Sequence, residues 1–146
     1  MNNLLKFYNL TAQERKLLLE SVIFLGFFRL IIVIIPFKRI APYLGHHMQE
    51  SYTDNNDEEM PVIKNISWAV NVMSRHTFWD SKCLVQAITA KYMLRRRNIK
   101  STLYLGVARD ENQSMFAHAW LRSGQTIVTG AKAKMNFVIL SSFADI

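Results

Sequence analysis

From position 17 to 35 nearly every residue is apolar, and only Glu20, Ser21, Gly26 and Arg29 interrupt the run. Thr11 and Glu14 stand ahead of it at the spacing of a capping box, and Pro36 follows it, so the pattern predicts a helix over 11–35. The next apolar positions, Val62, Ile63, Ile66, Ala69, Val70 and Met73, keep helical spacing behind Pro61, which suits a first turn. They predict an amphipathic helix that ends near Ser74-Arg75-His76. A third set, Cys83, Leu84, Ala87, Ile88, Ala90, Met93 and Leu94, predicts a helix capped by Asp80 or Ser81. That helix closes on Arg95-Arg96-Arg97, with Asn98 as a left-handed stop. Beyond it come strand candidates at 101–108, 115–122, 125–129 and 136–140, with Ser123-Gly124 as the turn of a hairpin. Helices first and an antiparallel sheet after them make an α+β chain.

Charge divides the same pattern. Residues 1–48 carry a net +4 and form an apolar N-terminal helical segment. Residues 49–60 carry five acids and no base, and read as an acidic surface linker. Residues 61–146 carry a net +8 and hold the core, so the three parts sum to +7. At 146 residues these are parts of one compact domain. The apolar stretch 22–35 is shorter than the ~20 residues of a spanning helix and is broken by Arg29. Glu14 and Glu20 ahead of it argue against a signal peptide. The helix is therefore read as buried or partner-facing, with membrane-surface association as the secondary reading.

One cysteine excludes an intramolecular disulfide and a Cys-rich zinc site, and fits a reducing, cytoplasmic compartment. His46-His47, His76 and His118 lack ligand spacing, and no phosphate-binding loop occurs, so neither a metal nor another cofactor is expected. The basic balance and Arg95-Arg96-Arg97 raise a nucleic-acid-binding domain as an alternative, although no recognition motif accompanies them.

The candidate chemistry rests on Cys83 and His118. A cysteine in the first turn of a helix meets backbone N–H groups and a dipole that stabilise negative charge, and Lys82 acts in the same direction. His118 lies on a predicted strand, sharing a face with Phe116 and Trp120. A Cys at a helix start with a His on a later strand is the layout of a thiolate–imidazolium pair. A third group should orient the imidazole. A turn at Ser123-Gly124 pairs Arg122 with Gln125, Trp120 with Ile127, and His118 with Thr129, which places the Thr129 hydroxyl opposite the ring.

The run Cys83-Leu84-Val85-Gln86-Ala87, the stretch from Met93 to Ile99, Leu105-Gly106-Val107, Ala117-His118-Ala119-Trp120 and the Gly130 region follow one another in an order and spacing that resemble a known family. It is the stand-alone leader peptidase of lasso-peptide biosynthesis, the split B protein, within the transglutaminase-like, papain-type cysteine peptidases. The resemblance implies a transglutaminase-like cysteine peptidase fold, with Cys83 as nucleophile and His118 as general base and acid. It implies hydrolysis of a ribosomally made precursor peptide through a Cys thioester, before macrolactam closure by a partner cyclase. An acid usually follows the His strand in this family, but here none follows before Asp145. The orienting group is therefore Thr129, a backbone carbonyl or Asp145. The Cys83 backbone N–H is expected in the oxyanion hole, with Gln86 and Trp79 close in sequence. Implied partners are the precursor, a small leader-recognition protein and an ATP-dependent lasso cyclase, with no nucleic acid. The alternatives are a non-catalytic interaction module of the same pathway, and acyl transfer to an amine in place of water.

Overall fold

A computed structural model of the chain describes residues 9–52, 57–76, 83–109, 111–131 and 137–145. Helix α1 (Ala12–Ile34) leads into a short helix α2 (Phe37–Ile40), a 3₁₀ turn (Ala41–Tyr43) and a two-residue strand β1 (His46–His47). Helices α3 (Glu59–His76) and α4 (Cys83–Arg95) follow. Strands β2 (Thr102–Arg109), β3 (Met115–Ser123), β4 (Thr126–Thr129) and β5 (Val138–Ala144) complete the chain. The sheet order is β1-β5-β2-β3-β4, with every neighbouring pair antiparallel. The α+β expectation holds. The caps expected at Asp80 and Ser81, Lys82, Trp79 and the strand start at Asn136 lie outside the described residues.

Helix ends follow local chemistry. Thr11 is extended, and its Oγ1 accepts the Glu14 N–H at 3.1 Å. The reciprocal half of the box differs from expectation: the Thr11 hydroxyl itself donates to Glu14 Oε1. Ile35 is already extended ahead of Pro36, whose ring disfavours a helical predecessor. At the end of α4, Asn98 takes φ +58°, with Asn98 N–H on Arg95 O and Ile99 N–H on Leu94 O, both 3.0 Å. These two bonds form a Schellman cap, which satisfies carbonyls the helix leaves open.

The core lies between the helices and one face of the sheet. Leu25, Ile63, Ile66, Ile88, Met93 and Leu94 pack with Leu103, Ala119, Leu121 and Val128. Burial of this apolar surface is the main drive for the fold. Inside it, Lys91 is 1% exposed. Its Nζ donates to Ser101 O at 2.8 Å and Phe143 O at 3.3 Å, and sits 3.3 Å from Asp145 Oδ2. Burial pulls the Lys91 ammonium down from 10.5 to about 8, against the opposing pull of Asp145. The arginine run is also engaged internally. Arg95 bonds Asp145 at 2.7 Å, and Arg96 and Arg97 clasp Glu20 at 2.7 and 2.8 Å.

Three departures from the sequence pattern bear on the site. The hairpin turns at Gly124-Gln125, since Ser123 pairs with Thr126 rather than entering the turn. Ser123 is buried, and its Oγ donates to Lys100 O at 2.8 Å, which holds it in the strand. A bulge follows: Arg122 pairs with Ile127 but Leu121 with Thr129, leaving Val128 as the extra residue. The Val128 carbonyl takes a bond from Ser67 Oγ on α3 at 2.6 Å. Finally, α1 is long and apolar enough to cross a membrane by length and composition, which the 22–35 stretch alone understates. Leu17, Leu18, Ser21 and Leu25 nevertheless bury one of its faces.

Candidate active site

Cys83 belongs to the first described turn of α4, where the helix meets the outer edge of β3. β4 runs beside β3 only as far as Thr129, so the edge of β3 near His118 and Ala119 is open to other groups. The Ala119 N–H donates to Cys83 Sγ at 3.4 Å. The thiol is half-buried, and no disulfide involves it.

His118 stands one residue before Ala119, 6% exposed. Its Nε2 is 2.7 Å from the Gly130 carbonyl. A carbonyl only accepts, so Nε2 is the donor, and in a neutral ring this tautomer puts the lone pair on Nδ1. Gly130 delivers that carbonyl through a backbone only glycine takes easily. Its φ is +77°, and a Cβ there would stand 2.5 Å from Ala119 O. The ring is also held by faces. Phe137 stacks on it at 5.2 Å and Trp120 at 6.1 Å, and Trp120 stacks on Tyr104 at 5.4 Å. Trp120 occupies the space over Gly106, where any Cβ would meet its ring at 2.9 Å. Behind it, Tyr104 donates to Glu50 at 2.7 Å and receives Arg122 Nε at 3.0 Å. Burial pushes the Tyr104 phenol up, so it remains a neutral donor.

Cys83 and His118 border one cavity of about 690 Å³, with Ser67, Asn71, Gln86 and Ile127 on its walls. The expected face shared by Phe116, His118 and Trp120 is seen as a continuous aromatic cluster through Phe137. Thr129 also borders the cavity, but its expected pairing with His118 is corrected. Two residues of register shift and the bulge set it opposite Leu121 instead, and a slip of this kind turns a side chain to the other face. Its Oγ1 is buried with no partner among the described residues. Asp145 lies at the far end of α4 with Lys91 and Arg95. Of the three orienting candidates, the backbone carbonyl is the one bonded to the imidazole. The sequence reading missed the Ala119 N–H, because a main-chain donor leaves no residue-type signal. Gly130 carried a signal: a glycine directly after a short strand marks a backbone turn or a close approach.

The arrangement provides a thiol, a ring nitrogen with a free lone pair, and a fixed acceptor behind the ring. A set of this kind is suited to nucleophilic attack with proton relay. Among comparisons with known proteins, the family model described as the transglutaminase-like superfamily matches residues 31–142. No curated protein and no solved structure matches.

Proposed function

The chain belongs to the transglutaminase-like superfamily, and on that premise we propose that it is a cysteine peptidase that removes the leader from a ribosomally made lasso precursor peptide. The superfamily includes cysteine peptidases, and its members are commonly cysteine-dependent enzymes. The observation that carries the reading is that Cys83 and His118 border one cavity, with the Ala119 N–H on Cys83 Sγ and His118 Nε2 tied to Gly130 O. This leaves Nδ1 as the proton acceptor.

In the proposed cycle, Nδ1 takes the thiol proton as Cys83 Sγ attacks the scissile carbonyl. The negative oxygen of the tetrahedral intermediate is met by the Cys83 backbone N–H. The C–N bond then breaks, Nδ1 returns its proton to the leaving amine, and a thioester remains on Cys83. Water attacks that thioester as Nδ1 takes its proton. The C–S bond breaks, and the acid product leaves with the thiol restored. Two-point fixation of the imidazole, by a hydrogen bond in its plane and by rings on its face, keeps Nδ1 aimed throughout.

The partners proposed for this cycle are the precursor, a leader-recognition protein that presents it, and an ATP-dependent cyclase that consumes the product. Incubating the full chain with a leader–core precursor and its recognition partner tests the reading. Mass spectrometry should find both cleaved pieces with the native chain and none with Cys83→Ala or His118→Ala. Undiminished cleavage by Cys83→Ala would overturn it.

A further inference from the structure

Helix α1 has two apolar faces, and the fold covers one of them. Leu17, Leu18, Ser21 and Leu25 face α3 and α4. On the other side, Leu19, Ile23, Phe27, Leu30, Val33 and Ile34 are 52–67% exposed. Their spacing of three to four residues makes one stripe, about 22 Å long at the rise of a helix. The stripe continues into an apolar groove of about 800 Å³, bordered by Phe24, Phe28, Ile88 and Tyr92. Soluble monomers rarely expose a contiguous apolar surface of this extent without a use for it.

The charge around the stripe identifies its occupant. Residues 21–49 contain no Asp or Glu, yet hold Arg29, Lys38 and Arg39. Lys38 and Arg39 are exposed directly after the helix. The nearest acid before this stretch, Glu20, is neutralised by Arg96 and Arg97. Tyr43, 77% exposed, stands at the mouth of the groove. An apolar stripe with a basic rim and an amphipathic aromatic fits the boundary between lipid headgroups and acyl chains.

We propose that this face of α1 seats the protein on a membrane surface rich in anionic phospholipid. The helix lies on the bilayer and does not cross it. Crossing would strip Leu17, Leu18 and Leu25 from the core and carry the Glu20 clasp with it. The site stays clear of the lipid. Cys83 is nine residues from Tyr92, about 14 Å along α4.

The test is sedimentation of the full chain with phosphatidylcholine vesicles, with and without phosphatidylglycerol. The native chain should pellet with the anionic vesicles and much less with phosphatidylcholine alone. Ile23→Ser/Phe27→Ser/Val33→Ser should lose at least about tenfold in partitioning, and Lys38→Glu/Arg39→Glu severalfold. Melting curves should show the variants folded. Should the triple variant fail to fold, Val33→Ser alone is read, since its side chain is exposed on the last turns of the helix. A native chain that stays in the supernatant overturns the proposal, and so does equal pelleting by the variants. So does a dimer in light scattering that the stripe variants abolish, in the absence of vesicle binding. None of these readouts depends on peptidase activity.

Discussion

The two ends of helix α4 handle polar groups in opposite ways. At the Cys83 end, among the described residues, the thiol receives one long bond from Ala119 and the imidazole is tied through Nε2 alone. At the Lys91–Arg95 end, Lys91, Arg95 and Asp145 are joined to each other and to the Ser101, Phe143 and Tyr43 carbonyls, and the helix closes in a Schellman cap. One end keeps reactive capacity uncommitted, which a nucleophile requires. The other leaves almost none, which a buried charge requires. Stability and the proposed chemistry are thus separated along about 20 Å of one helix.

The most severe way to break this contrast is Cys83→Ala. It should remove cleavage by ~10³-fold or more while leaving the unfolding midpoint close to native, as followed by circular dichroism. Asp145→Ala acts at the opposite end. It strands the buried Lys91 cation and should cost about 3 kcal/mol in urea unfolding, with kcat unchanged in the folded fraction. The pH dependence sharpens the same point. Lys91 titrates near 8 when folded and near 10.5 when unfolded, so the unfolded chain binds the proton first as pH falls. The stability present above 10.5 is lost as pH falls toward 8, on the order of 3 kcal/mol. Lys91→Met should flatten that slope. A native profile parallel to that of Lys91→Met would contradict it.

Smaller effects probe the site end. Gly130→Ala should displace the carbonyl behind His118 and lower kcat about tenfold, with KM changed less. Thr129→Val removes a buried hydroxyl that has no partner among the described residues. It should change the rate less than about twofold and stability by less than about 0.5 kcal/mol. A large rate loss there would return Thr129 to the site.

Much of the fold was legible because its signals are local. Thr11 before the apolar run, Pro36 after it, Asn98 after the arginines and the alternating strand residues each act within a turn of themselves. Cys83 and His118 were legible as residue types at helix and strand positions. The failures were non-local. The hairpin register depends on Ser123 reaching Lys100 O, and the bulge has Ser67 of α3 bonded to the Val128 carbonyl. Neither interaction is written in the sequence of the hairpin. Strand β1 pairs with Phe143 and Ala144 from the opposite end of the chain, so a two-residue strand at His46–His47 left no periodic trace. The buried part of the acidic stretch was hidden for the same reason: Ser51 bonds Thr102 Oγ1 at 2.8 Å.

The carbonyl of Gly130 has a consequence for inheritance. Every residue type carries a main-chain carbonyl, so no single codon change can delete the partner of His118 in the way a change at an aspartate would delete a side-chain partner. What mutation can change is its aim, through the positive φ of Gly130 and the close fit against Ala119. A saturation scan of the gene should therefore show three intolerant positions with different signatures. Cys83 and His118 should reject every replacement by chemistry, and Gly130 should reject side chains roughly in order of their bulk at Cβ.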